Sequence, residues 1–290
     1  MLTGNSLLHV NQDIGKVFSV AEIKGYYNNL IEKVLKDKDN INSIDYIPRF
    51  QTEKGETVLF PISIIQYGLG CFDLYLLTKN ELYLKKFITC VQWVMDNQQE
   101  NGLFDCMFFV HPDNPYSAMC QGEAVSLLLR AHTVLKDEKC YLAAKKSIDF
   151  MLLSLEQGGT TKYVGDKVFL MEYTHLPVVM NGWIFALFGL FDWTLACNEE
   201  KYKTIFDKSI ETLVENLKEF DCGYWTKYDA GKKIASPFYH NLHIAQMDVL
   251  KEITGQSIFE EYAIKWRKYQ KNPFKKFRAI CKKAFQKILD

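Results

Sequence analysis

Residues 118–146 read AMCQGEAVSLLLRAHTVLKDEKCYLAAKK, and this stretch decides the fold. It begins with a mostly apolar segment, Ala118–Leu135, followed by a short polar turn and a segment with one charged face. A helix that is apolar all round is buried, whereas an amphipathic helix covers a core. The stretch therefore predicts a helical hairpin with an inner and an outer helix.

The same plan occurs four times, at intervals of roughly 60 residues, a spacing typical of helical repeat arrays. The polar turns lie within Leu76–Lys86, Val134–Lys146, Ala196–Ser209 and Ile253–Trp266. The apolar helices that precede them are Pro61–Leu77, Ala118–Leu135, Val179–Cys197 and His240–Ile253. Because each hairpin rests on its neighbours, the pattern predicts an all-α fold, an incomplete α/α toroid whose inner helices line a central cavity.

The connections from each outer helix to the next inner helix are long, at residues 99–117, 157–178 and 220–239. Loops of more than about 12–15 residues in a compact domain are often functional. All three would open at the same rim of a toroid, so we expect the functional site there.

The ends of the chain differ from the repeats. Residues 19–38 have apolar residues at helical spacing, and residues 45–61 predict two short extended pieces around Lys54-Gly55. We therefore divide the chain into an N-terminal helix and extended segment (1–60), a toroid domain (61–270) and a basic amphipathic helix (271–290).

Composition excludes several classes of protein. The formal net charge is zero, yet residues 265–290 carry ten Lys and Arg against one Asp, so the rest carries about nine net negative charges. That remainder does not resemble a nucleic-acid binder. No G-x-G-x-x-G or metal-ligand spacing is present, so we expect no cofactor and no metal.

The eight cysteines are scattered without a C-x-x-C pair, which indicates a reducing compartment. The N-terminus lacks the pattern of a secretory signal, and no uncharged stretch reaches transmembrane length. We expect a cytoplasmic protein.

Several short motifs follow one another in a characteristic order. They are Phe60–Gly68 (FPISIIQYG), Tyr116–Gly122 (YSAMCQG), Glu172-Tyr173, Asn181-Gly182, Tyr228-Asp229 and Tyr239–Ile244 (YHNLHI). None is specific alone, but in this register over about 200 residues they resemble the catalytic domain of the D-glucuronyl C5-epimerases. The resemblance runs from about Phe60 to Trp266. It implies inversion of carbon 5 of D-glucuronic acid in a polysaccharide or lipid-linked oligosaccharide, giving L-iduronic acid.

The resemblance also assigns roles to residues. It places Glu172 and Tyr239 as the paired acid/base residues, with Tyr173 and Tyr228 as supporting tyrosines. Sequence proximity suggests that cationic neighbours help the Tyr239 phenolate. The expected substrate-binding residues are Tyr116, Gln121, Arg49, Asn181, Lys232, His240 and His243.

Three of these positions have an alternative structural role. Gln121 could anchor a loop backbone, Asn181 could cap the third inner helix, and Arg49 could be a solvated loop charge.

The chain also departs from the animal enzymes, where an Arg follows the tyrosine matching Tyr228 by three residues. Lys232 or Lys233 could replace it, without the bidentate fork of arginine.

Two other functions fit the same residues. A polysaccharide lyase removes the same proton and then expels the group at carbon 4. A non-catalytic glycan-binding toroid would bind polymer without exchange at carbon 5.

The basic tail adds an expectation about partners. Phe274, Phe277, Ile280, Cys281, Phe285 and Ile288 fall on one helical face, and Lys and Arg fill the other. This pattern favours a helix in a membrane interface, so we expect a peripheral location at the inner membrane, and family analogy suggests a homodimer. The alternative is a terminal helix packed on the toroid with its charged face solvated.

Overall fold

The computed structural model describes residues 10–52 and 54–289, except for the side chain of Leu289. The first nine residues of the N-terminal stretch used above lie outside the described residues.

The N-terminal segment contains one short helix and one small hairpin. Helix α1 spans Ile31–Leu35, and strands β1 (Phe50–Gln51) and β2 (Thr57–Val58) pair antiparallel around the turn predicted at Lys54-Gly55. The helix is much shorter than the predicted 19–38 segment. Its upstream backbone groups bond elsewhere, as the Tyr26 N–H does to Asp73 Oδ1 (2.8 Å), and are not available for a helical ladder.

Four helical hairpins follow, which confirms the predicted toroid. The inner helices are α2 (Pro61–Thr78), α4 (Ala118–Leu135), α6 (Met180–Ala196) and α8 (Pro237–Thr254). The outer helices are α3 (Glu81–Asn97), α5 (Glu138–Leu152), α7 (Glu200–Asn216) and α9 (Ser257–Lys271). Helix α8 begins three residues before the predicted His240, because Ser236 caps it and proline is well suited to the first helical turn.

The inner helices α4 and α6 are in backbone contact. A Cβ atom at Gly122 would lie 2.6 Å from the Ala186 Cα, and one at Gly189 would lie 2.1 Å from the Gly122 carbonyl oxygen. Only glycine fits such an approach, so these two positions set how closely the inner ring packs.

The N-terminal segment closes one end of the ring. The buried Arg130 and Asp192 form a salt bridge at 2.6 Å, Arg130 donates to the Gly25 carbonyl at 2.9 Å, and the Tyr27 hydroxyl donates to Asp192 at 2.7 Å. Arg130 and Asp192 lie near the C-terminal ends of α4 and α6, so the opposite end of the ring remains for the site.

The remaining elements lie on the long loops and at the chain's end. Strands β3 (Thr161–Val164) and β4 (Lys167–Leu170) form an antiparallel hairpin in the second loop, and 3₁₀ turns span Leu155–Gln157 and Leu217–Phe220. Helix α10 spans Pro273–Leu289 and follows α9 directly. Among the described residues, no helix combines the length and apolar character needed to cross a membrane.

Candidate active site

A cavity of about 300 Å³ opens at the rim where the N-terminal ends of the inner helices meet. Each inner helix contributes a residue of its first turn, namely Ile62, Met119, Asn181 and Tyr239. Helix N-termini carry partial positive charge, so this position favours an anionic ligand. The long loops supply further lining, including Glu172, Tyr173 and Val110.

Glu172 is the carboxylate of this cavity. It is only 5% exposed, and burial raises its pKa to about 7, against the hydrogen bonds of Tyr173 and Tyr228, which lower it. Its Oε1 accepts a hydrogen bond from the Tyr228 hydroxyl at 3.4 Å. Its Oε2 is buried and has no hydrogen-bond partner among the described residues. A carboxylate with a pKa near 7 suits a general base at neutral pH.

The Asn181-Gly182 pair explains how Glu172 reaches this position. A Cβ atom at Gly182 would lie 2.1 Å from the Glu172 Oε2 and 2.6 Å from its Cβ. The absence of a side chain at Gly182 therefore makes room for the carboxylate against the first turn of α6.

Three tyrosines surround Glu172. The rings of Tyr228 and Tyr239 lie with centroids 4.8 Å apart at 59°, and Tyr173 interacts with both Glu172 and Tyr228. Burial, followed by the nearby Glu172 charge, raises the pKa of all three phenols well above the usual value. All three phenols are therefore protonated at neutral pH and can act as proton donors.

The Tyr228-Asp229 motif is fixed by backbone bonds. The Met180 N–H donates to the Tyr228 carbonyl (3.2 Å), and the Tyr228 N–H donates to Lys233 (2.8 Å). Asp229 Oδ1 accepts from the N–H groups of Gly231 (2.9 Å) and Lys233. This loop is thereby tied to the start of α6, next to Glu172.

Lys33 of α1 lines the same cavity and was not found by sequence reasoning. Burial lowers its pKa to about 8, while the charge of Glu123 opposes the shift. Burial also raises the pKa of Glu123 to about 8, and Gln66 donates to its Oε1 at 2.8 Å. Nothing in the local sequence distinguishes Lys33 from a solvated lysine, because its burial depends on α1 packing against α2.

A second cavity, about 730 Å³, adjoins the first and shares Lys33 and Phe50 with it. The predicted substrate residue Arg49 lies here and not in the cavity of Glu172. Lys36 and Lys38 also line this second cavity, together with Asp37 and Asp39, and Lys36 forms a salt bridge with Glu32 at 2.8 Å.

Lys232 lies in a third cavity of about 510 Å³ on the other side of Tyr173. Tyr228 and His111 also line it. The prediction that Lys232 contacts substrate therefore applies to a different opening from that of Glu172 and Tyr239.

His240 and His243 do not line any of these cavities, in contrast to the prediction. Thr226 Oγ1 lies 2.9 Å from His240 Nδ1 and 3.0 Å from His243 Nδ1, and His240 stacks on Trp225 at 3.7 Å. Burial lowers the pKa of His240 to about 3 and that of His243 well below the usual value. Both are neutral packing residues that hold the start of α8 against the third loop.

The predicted substrate-binding residues Gln121, Asn181 and Tyr116 have different positions in the structure. The Gln121 amide pairs with the Gly102 carbonyl and the Phe104 N–H at 3.0 Å each, so it anchors the first loop. Asn181 lies inside the first turn of α6 and lines the cavity, while Val179 occupies the cap position. Tyr116 packs edge-on against Phe150 and does not line the cavity.

No group of three or more His, Cys, Asp or Glu side chains is arranged to hold a metal ion within residues 10–52 and 54–289. All eight cysteines are free.

Comparison with known proteins gives a consistent family. A family model described as the D-glucuronyl C5-epimerase C-terminus matches residues 107–268. The D-glucuronyl C5-epimerase of Caenorhabditis elegans is 23% identical over 220 residues, covering 66% of this chain and 36% of that protein. An uncharacterized protein of Methanocaldococcus jannaschii is 28% identical over 156 residues, covering 52% of this chain and 51% of that protein. The chain thus spans about a third to a half of the length of these curated relatives.

A solved structure shares the fold. The family 76 alpha-1,6-mannanase of a Salegentibacter species superposes with a TM-score of 0.51 and 15% identity, covering 71% of this chain and 62% of that one. At this identity the likeness shows the helical toroid alone.

Proposed function

Because the chain belongs to the D-glucuronyl C5-epimerase C-terminus family, we propose that it is an isomerase that inverts carbon 5 of D-glucuronic acid residues, giving L-iduronic acid. The substrate would be a polysaccharide or a lipid-linked oligosaccharide. The observation that carries the proposal is a buried carboxylate, Glu172, with a pKa of about 7 that lines one cavity with the protonated phenol of Tyr239.

In this mechanism Glu172 is the base. Its carboxylate takes the proton from carbon 5, and the electrons of the C–H bond move into the adjacent uronate carboxyl group. Tyr239, whose phenol is protonated, then donates its proton to the opposite face of carbon 5. Placed acid and base groups of this kind contribute roughly 10²–10⁴-fold to the rate.

One turnover leaves Glu172 protonated and Tyr239 as a phenolate, so a proton must return. Tyr228 lies between them, since it donates to Glu172 at 3.4 Å and interacts with Tyr239. In the proposed cycle the Tyr228 hydroxyl passes its proton to Tyr239 and receives the proton of Glu172. This step balances the protons, and exchange of these O–H groups with solvent between turnovers is what brings deuterium to carbon 5 in heavy water.

Lys33 supplies the cation that the mechanism needs. Negative charge develops on the uronate carboxyl group in the transition state, and a fixed cation nearby stabilises it. Lys33 lines the cavity with Glu172 and Tyr239, whereas Arg49 and Lys232 do not. We assign carboxylate binding to Lys33 on this ground.

The second cavity supplies a path for the rest of the polymer. It continues from the first through Lys33 and Phe50 and carries the exposed Arg49 with Lys36 and Lys38. Neighbouring acidic sugars of the polymer would lie along these cations, which outnumber the two carboxylates of the lining, Asp37 and Asp39.

The test is deuterium exchange on a glucuronate-containing polymer in heavy water. We expect deuterium at carbon 5 of the product with the wild-type protein, and a loss of roughly 10²–10⁴-fold in Glu172→Gln and Tyr239→Phe. Growth of ultraviolet absorbance from an unsaturated uronate would identify a lyase instead. Polymer binding without any exchange would identify a non-catalytic glycan-binding protein.

A further inference from the structure

Helix α10 presents its apolar face to solvent. Phe274 is 84% exposed, Phe277 69%, Phe285 63% and Ile288 81%. Within the described part of the chain, nothing covers these side chains. Exposed apolar groups scattered singly are common, but four large ones aligned on one helix form a continuous patch.

The orientation of α10 is fixed by its opposite face. Ala279 is buried, and Gln286 accepts from the Ile234 N–H (2.9 Å) and donates to the Lys232 carbonyl (2.7 Å). Lys275 donates to the Gly223 carbonyl at 3.3 Å. Helix α10 thus packs on the toroid with exposed charges, as the alternative expected, but it also leaves its phenylalanines in solvent.

Basic residues flank the apolar face on both sides. At 3.6 residues per turn, Arg278 and Lys282 follow one edge of the patch, and Lys276 and Lys287 lie on the other side, beyond the half-buried Ile280 and Ala284. All four are exposed. No acidic residue occurs between Pro273 and Leu289.

We propose that this face of α10 seats the protein on an anionic lipid bilayer. An apolar helical face bordered by lysine and arginine matches the acyl–headgroup boundary, where the phenylalanines enter the acyl region and the cations meet lipid phosphates. A second copy of this chain is a poorer match. A two-fold contact through the same face would set the basic rows of one copy against those of the other.

The position of α10 relates this surface to the candidate active site. Gln286 holds the loop that carries Tyr228, and the Lys283 ammonium lies 6.0 Å from the Tyr228 ring. A bilayer against α10 would therefore lie beside the rim that carries the cavities. The membrane proposal rests on the exposure and charge of α10 and holds for any reaction at the cavity.

The experiment is co-sedimentation of the full chain with vesicles of phosphatidylcholine alone or mixed with phosphatidylglycerol. Point variants are preferable to removal of 272–290, because that deletion also removes the support of the Tyr228 loop. Phe277→Glu/Phe285→Glu changes only exposed side chains, and Leu77→Glu/Leu142→Glu is the matched control on other exposed apolar residues. Circular dichroism verifies that both variants are folded.

We expect the wild-type and control proteins to bind the anionic vesicles, and the phenylalanine variant to lose about tenfold or more in vesicle affinity. Equal binding of the phenylalanine variant, binding independent of phosphatidylglycerol, or no binding by the wild type would overturn the proposal. So would a change from dimer to monomer in the phenylalanine variant without a change in vesicle affinity, since the face would then be a contact between copies.

Discussion

Glu172 and Lys33 are single residues whose chemistry depends on where the fold places them. A solvated glutamate titrates near pH 4 and a solvated lysine near pH 10, and neither would change charge at neutral pH. Burial raises the pKa of Glu172 to about 7 and lowers that of Lys33 to about 8. Both groups therefore titrate within the physiological range.

This pair predicts a bell-shaped pH dependence. Glu172 must be ionised to act as the base, so kcat/KM for exchange at carbon 5 rises as the pH passes about 7. Lys33 must be charged to hold the uronate, so kcat/KM falls as the pH passes about 8. The measurement is the exchange rate at limiting substrate over a pH range of about 5 to 10.

Lys33→Arg is the control for the falling limb. Arginine stays charged throughout this range, so the falling limb moves to higher pH while the rising limb stays near 7. A falling limb that is identical in Lys33→Arg would contradict the assignment of Lys33.

At the scale of secondary-structure elements, the site depends on the contact between the second loop and the first turn of α6. Gly182 allows the Glu172 carboxylate to lie against that turn, and the Tyr228 loop is bonded to Met180 in the same turn. The start of α6 therefore fixes the base and its tyrosine partner together.

Gly182→Ala tests this contact. The added Cβ would overlap the Glu172 Oε2, so the carboxylate must move, and we expect kcat/KM to fall by roughly 100-fold, the scale of a misplacement of about 1 Å. The added Cβ would also lie 2.6 Å from the Glu172 Cβ, and this overlap outweighs the roughly 1 kcal/mol by which alanine favours helix over glycine, so we expect the thermal midpoint to fall as well.

Gly255→Ala is a comparison at the end of α8. It lies far along the inner helix from the cavity and has a left-handed backbone at φ 71°, so it should lower stability and leave exchange unchanged. If Gly182→Ala retained full exchange activity, Glu172 would not need its present position.

The structure explains which parts of the site the sequence could predict at this scale. The inner and outer helices follow from local apolar periodicity. The location of the site at the rim follows from the length of the three loops. The histidines of Tyr239–Ile244 were placed wrongly because neighbours in sequence on a helix point in different directions. Tyr239 faces the cavity, while His240 and His243 turn toward Trp225, Thr226 and Trp266.

At the scale of the whole molecule, the N-terminal segment completes the ring of helical hairpins and its cavity. It closes one end of the ring through Tyr27 and Gly25, and α1 brings Lys33 to the cavity at the other. Lys33 lies outside residues 107–268, the part that matches the family model. The proposed site thus combines a cluster that lies within the matched residues with a cation that lies outside them.

Lys33→Met tests that combination. The variant keeps much of the side-chain length and removes the charge, so we expect kcat/KM to fall about 10- to 100-fold, the range for losing a hydrogen bond to a charged group. Lys24→Met, at an exposed lysine of the same segment, should behave like the wild type. Equal activity of both variants would exclude Lys33 as the carboxylate-binding cation.

The sequence alone determined the helical hairpins, their order, the rim that carries the long loops and the family register of Glu172, Tyr173, Tyr228 and Tyr239. These can be obtained from the sequence because helix periodicity is a local property and the order of motifs along the chain does not depend on which segments pack together. Tertiary structure alone decided that Lys33 reaches the cavity, that Arg49 and Lys232 lie in other openings, and that α10 turns its phenylalanines outward. Burial and the pKa shifts it causes depend on segments distant in sequence, and only packing brings those segments together.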